Sequence, residues 1–147
     1  MKEITFPQFT VSVPDHWFDV TAELEEDSPP PTVAPEEGLG ALQFSFAPFP
    51  VKESPAAVLE KLRGLLKEFA KGHQLGQAQN LVASESPRPQ LAASFQWHDD
   101  LLRVFYLADQ GQLAFLTYTC EKNATYANEL QEAEEIVRSL QFRKPQA

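Results

Sequence analysis

Apolar and polar positions along the chain change their period several times, and each change marks an element. Phe9, Val11 and Val13 alternate with Thr10 and Ser12 before Pro14, the two-residue period of a half-buried strand. A short strand is expected over Trp17 to Thr21. Leu42, Phe44 and Phe46 alternate with Gln43 and Ser45 in a third strand that ends at Pro48. The period then lengthens: Val58, Leu62, Leu65, Leu66 and Phe69 recur at helical spacing behind Ser54 and Pro55. The serine hydroxyl caps free amides, and the proline fits the first turn, where its missing N–H does no harm. Gly72 supplies the stop.

The two-residue period returns over Leu91 to Trp97, Leu101 to Ala108 and Leu113 to Cys120, with a further strand over Gln79 to Ser84. The joints His98-Asp99-Asp100 and Asp109-Gln110-Gly111-Gln112 are short and polar, so antiparallel pairing follows. A closing helix is expected from Thr125 to Ser139, with Leu130, Ala133, Ile136, Val137 and Leu140 on one stripe, before a short strand Gln141 to Arg143. Pairing outward from the joints, with Trp97 facing Leu101 and Ala108 facing Leu113, puts Phe95, Phe105, Leu107, Leu116, Tyr118 and Cys120 on one sheet face. Ser94, Leu102, Val104, Tyr106, Phe115 and Thr117 fall on the other. Both faces are largely apolar, so both need cover, and two amphipathic helices are available. The expected class is α+β: an antiparallel sheet sandwiched between two helices, in one domain spanning residues 1–147.

Composition agrees with a packed core: 43% of the residues are hydrophobic, with eleven Phe, which is too rich for a disordered chain despite twelve Pro. The net charge of −9 repels phosphate backbones and anionic headgroups, so nucleic acid and bare membrane are poor partners. The first residues lack a secretory signal, and no apolar run reaches membrane-spanning length, so the cytoplasm is the expected compartment. Cys120 is the single cysteine, which leaves no internal disulfide and no multi-cysteine metal site.

Phe9-Thr10-Val11-Ser12-Val13-Pro14 with Trp17, the meander Arg103-Val104-Phe105-Tyr106-Leu107 and Phe115-Leu116-Thr117-Tyr118-Thr119, and the final Ser139-Leu140-Gln141-Phe142 give the chain a resemblance in element order. It resembles the superfamily of the PsbP proteins of photosystem II, the Mog-type Ran-binding factors and the bacterial DcrB-like proteins. That resemblance implies a non-catalytic fold used to bind other proteins, in some bacterial relatives as secretion adaptors. It transfers no catalytic residue.

Several residues are candidates for chemistry. Cys120 faces Leu101 at the sheet end that carries His98, Asp99 and Asp100, which suggests a thiol, an imidazole and a carboxylate brought together; the competing reading is an inert buried thiol. His98, Asp99 and Glu121 are conceivable metal ligands, but polar turn residues are ordinarily just solvated. His16, His73 and His98 lie on separate segments without ligand spacing, and the common cofactor and hydrolase motifs are absent. No cofactor or metal is expected. Arg103, flanked by Phe95 and Tyr118, is either a binding-site cation or an arginine stacked on rings. Trp17 and Trp97 are candidate partner anchors, against the simpler expectation that tryptophans are buried. From Ala22 to Gly40, Glu23, Glu25, Glu26, Asp27, Glu36 and Glu37 alternate with prolines and no base, which reads as a mobile acidic loop able to recruit a basic surface.

The expected function is therefore a cytosolic protein-binding module, such as a bacterial secretion adaptor, chaperone or immunity-type protein. Its partner is another protein with a basic or hydrophobic surface, or a second copy across a free sheet edge. The competing class is a small-ligand protein or cysteine-dependent enzyme at the His98, Asp100 and Cys120 end.

Overall fold

A computed structural model describes residues 1–50, 52–121 and 126–143. Seven strands form one antiparallel sheet: β3 (Trp17–Asp19), β4 (Thr32–Pro35), β5 (Gly40–Pro48), β9 (Gln112–Glu121), β8 (Asp100–Asp109), β7 (Gln90–Trp97) and β6 (Gln79–Ser84), in that spatial order. A small second sheet pairs β2 (Phe9–Val13) with β1 (Lys2–Thr5) on one side and β10 (Gln141–Phe142) on the other.

Helix α1 (Pro55–Gly72) starts as the sequence requires, with Ala57 N–H donating to Ser54 Oγ at 3.2 Å and Pro55 in the first turn. Its end differs in detail. Gly72 is the last helical residue, and Gln74, at φ 55°, takes the left-handed conformation instead. Helix α2 runs Ala127–Ser139, and the expected start at Thr125 lies outside the described residues.

The sandwich is observed. One face of the sheet packs Leu91, Ala93, Phe95, Leu102, Val104 and Tyr106 under Val58, Leu59, Leu62 and Leu66 of α1. The opposite face packs Leu42, Phe44, Phe105, Leu116 and Tyr118 under Ala133, Ile136 and Val137 of α2 and under Phe9 and Val11 of the small sheet. With cover on both sides, β8 is buried from Leu101 to Ala108.

Two sequence expectations are corrected. The first concerns β7, where Trp97 pairs with Asp100 rather than Leu101, because the β7–β8 joint is a two-residue turn with His98 at φ 56°. A one-residue slip reverses every side chain of a strand. Phe95 therefore belongs under α1, and Ser94 lies on the α2 face opposite Arg103. At the next joint the expectation holds. Ala108 faces Leu113, and Gln110 and Gly111 take φ 52° and 76°, the conformation of a tight hairpin whose twist matches its strands.

The second correction concerns the acidic segment. It holds a 3-10 turn at Thr21–Glu23 and the strand β4, which pairs with both β3 and β5. Val33 is fully buried there, and Thr32 is tied by its N–H to Thr21 Oγ1 at 2.9 Å and by its Oγ1 to Pro30 O at 2.9 Å. The carboxylates nevertheless stay outside, with Glu23, Glu25, Glu26, Asp27, Glu36 and Glu37 all exposed. Among the described residues, no helix is long and apolar enough to cross a membrane.

Candidate functional site

The α2 face of the sheet is closed by α2 over β8 and β9 but leaves a depression towards the β6 edge. Phe105 and Leu107 of β8 and Ala92 of β7 form its floor, Val137 of α2 one wall and Val82 of β6 the other, around a void of about 110 Å³. Arg103, Glu134 and Arg138 supply its polar rim.

Arg103 is only 5% exposed, and the strand that carries it explains how it is held. Alternation along β8 aims it at the α2 face, where its Nη1 donates to Ser94 Oγ at 2.9 Å and to Asn80 O at 3.1 Å. Its Nε lies 2.9 Å from Glu134 Oε1, an ion pair whose angle falls short of a hydrogen bond. The guanidinium also lies 5.7 Å from the Phe105 ring centroid. The register slip in β7 corrects its flanking residues, which are Ser94 and Tyr118 rather than Phe95 and Tyr118. A buried guanidinium needs these partners, since removing one would leave an uncompensated charge.

Beside it, β6 forms the outer edge of the sheet. None of its six residues, Gln79 to Ser84, is charged, and Leu81 and Val82 are 49% and 58% exposed. Its register breaks between Gln79 and Val82, where Asn80 takes φ 52°. Edges are normally blunted with charge, proline or very short strands, and β6 uses only the bulge. At the other edge β3 has three residues, and Lys2 Nζ sits 3.6 Å over the exposed Phe18 ring.

The remaining candidates separate. Trp17 is fully buried and its indole N–H donates to Glu132 Oε1 at 3.3 Å, so it is a core residue and not an exposed anchor. Trp97 is 41% exposed, with the His98 ring 5.3 Å away. Cys120 is buried in the core, and burial pushes its thiol up from 9.0; the charges of Glu129, Asp100 and Glu121 push the same way, against a hydrogen bond with Tyr118. A thiolate nucleophile needs the opposite, a cationic and accessible setting. Among the described residues no group of three His, Cys, Asp or Glu is placed to hold a metal ion.

Three carboxylates of α2 that sequence reasoning did not single out prove to organise this face. Glu129 accepts from Leu39 N at 2.9 Å, from Gly40 N at 2.8 Å and from the Tyr118 hydroxyl. Glu132 accepts from Trp17 and meets His16 Nε2 at 3.1 Å, while Glu134 takes Arg103. Gly40 itself has to be glycine, because a Cβ there would stand 2.2 Å from Thr119 O. The available signal was the spacing Glu129, Glu132 beside the apolar stripe, which reads equally well as solvated helix surface.

No family pattern matches the chain, and no curated protein does. Among solved structures it is similar to cyanobacterial PsbP (CyanoP) from Synechocystis sp. PCC 6803, at 10% identity and TM-score 0.57 over 92% of this chain and 86% of that one. It is also similar to a crystal structure from Bacteroides thetaiotaomicron VPI-5482, at 17% identity and TM-score 0.58. That likeness covers 97% of this chain and 48% of the other, so the chain spans about half the length of that protein. The fold is PsbP-like, with two helices and a large antiparallel sheet, and at these identities the likeness concerns fold alone.

Proposed function

We propose that this protein is a non-catalytic binding module that holds an extended segment of a partner protein on the β6 edge and the depression beside it. The observation that carries this reading is an uncharged six-residue edge strand with Leu81 and Val82 in solvent, flanked by a groove with an apolar floor. Unpaired N–H and C=O groups along such an edge give main-chain affinity, and alternate side chains on the added strand give specificity. A secretion adaptor, a chaperone and an immunity-type protein are particular forms of such a module. The cytoplasm is the compartment proposed for it, where a lone buried thiol stays reduced.

The test is photo-crosslinking in native cells from a reactive side chain placed at Leu81, compared with one at Lys67 on the outer surface of α1. A discrete adduct from position 81, absent from position 67 and lost in Val82→Lys, is the expected result. Identical adducts from both positions, or none from 81, would refute the edge as the binding surface.

A second reading is favoured by one observation: the six carboxylates from Glu23 to Glu37 are exposed, and none of them is in an ion pair among the described residues. These exposed charges suit a basic partner surface, with an on-rate that falls as salt rises. Loss of the partner on neutralising Glu23, Glu25, Glu26 and Asp27, with Val82→Lys silent, moves the binding surface there.

A further inference from the structure

The depression beside β6 ends in cations, which an edge that only pairs backbone does not require. Val82 belongs to both features, as a member of the edge strand and as the outer wall of the void. The void of about 110 Å³ is several times what one water needs, and Phe105 and Leu107 beneath it favour an apolar occupant. At its rim the charges do not balance. Glu134 is engaged with Arg103, whereas Arg138, exposed and one helical turn further along α2, makes no ion pair among the described residues. A local positive excess in a chain of net charge −9 is a specific feature, and carboxylates are what guanidinium groups recognise best.

We propose that the groove takes the carboxyl-terminal residue of a partner chain, its apolar side chain over Phe105 and Leu107 and its carboxylate at Arg138. This deepens the edge-binding reading and rests on it, because the residues before the terminus lie along β6. A chain end suits the site better than a free acid: Val82 joins the groove to an edge with unpaired backbone groups, which a free acid leaves empty. An internal carboxylate is disfavoured because the chain would have to continue past Glu134 and the body of α2.

The experiment is fluorescence polarisation with an amino-terminally labelled hexapeptide of alternating threonine and valine ending in leucine, as free acid and as amide. The acid is expected to bind about tenfold tighter than the amide. Arg138→Glu, an exposed substitution that leaves the core intact, is expected to remove that preference. Equal binding of acid and amide, both weakened by Val82→Lys, would overturn the terminal-carboxylate inference while sparing the edge reading. If neither peptide binds, the inference also fails, and the crosslinking at position 81 decides the edge reading by itself. Binding of 4-methylpentanoate as tightly as the peptide acid would replace the chain end by a small free acid, which overturns the inference too.

Discussion

The two helices cover the same sheet by different means. Helix α1 lies on its face through Val58, Leu59, Leu62 and Leu66, and the hydrogen bond from the Tyr106 hydroxyl to Leu65 O across that seam is long, at 3.5 Å. Helix α2 adds to its apolar stripe three carboxylates that reach Leu39, Gly40, Tyr118, Trp17, His16 and Arg103. The α1 seam gains its free energy from removing apolar surface from water and tolerates apolar substitutions of similar volume. The α2 seam fixes position, since each carboxylate is satisfied in only one placement and an unsatisfied buried partner is costly. This fits the placement of the candidate groove on the α2 side, where its wall must keep a fixed distance from β6.

The largest expected effect is on the apolar side. Leu62→Ala removes a fully buried side chain from α1 and should cost about 3 kcal/mol in denaturant unfolding, without altering the groove beside β6. Next is the polar seam. Glu129→Ala leaves two backbone amides and the buried Tyr118 hydroxyl without their acceptor, for a loss of about 2 kcal/mol. Glu129→Gln, which keeps one acceptor oxygen, should recover part of it; equal losses for the two variants would mean that packing and not hydrogen bonding holds this seam.

A smaller effect is expected in alkali. Burial raises Tyr106 from 10.0 to about 12, and raises Tyr118, by burial and then its bond to Glu129, further still; Cys120 is raised from 9.0. All three are acids whose folded values exceed their unfolded ones. Their contribution is therefore complete below about pH 9 and is lost as pH rises through 10 towards 12. Equilibrium unfolding against pH should show that decline, and Tyr118→Phe should flatten it at a cost of about 1 kcal/mol near neutrality. A decline unchanged in Tyr118→Phe would assign it elsewhere. The smallest expected effect is kinetic: the buried Cys120 thiol should react with a maleimide far more slowly in the native protein than in the unfolded chain. Fast native labelling would contradict its burial.

The sequence anticipated the parts whose information is local. Alternation over Phe9 to Val13 and over the three strands from Leu91 to Cys120 announced strands, Ser54-Pro55 announced the start of α1, and Gly111 announced a tight hairpin. The misplaced features depended on a single-residue difference or on a distant partner. Counting His98-Asp99-Asp100 as a three-residue joint displaced β7 by one and moved Phe95 to the wrong face. Thr32-Val33-Ala34 is the one apolar run inside the acidic segment. It becomes a strand because β3 and β5 lie on either side to accept it.

By itself, then, the sequence determined the α+β class, the two amphipathic helices, the apolar character of both sheet faces and the exposed acidic carboxylates, because periodicity and charge are properties of neighbouring residues. Only the tertiary structure decided that Trp17 is core, that α2 is anchored by Glu129, Glu132 and Glu134, and that Arg103, Val82 and Arg138 surround one groove. Those relations join residues from 11 to 116 positions apart, and no local pattern encodes which carboxylate meets which donor once the chain has closed.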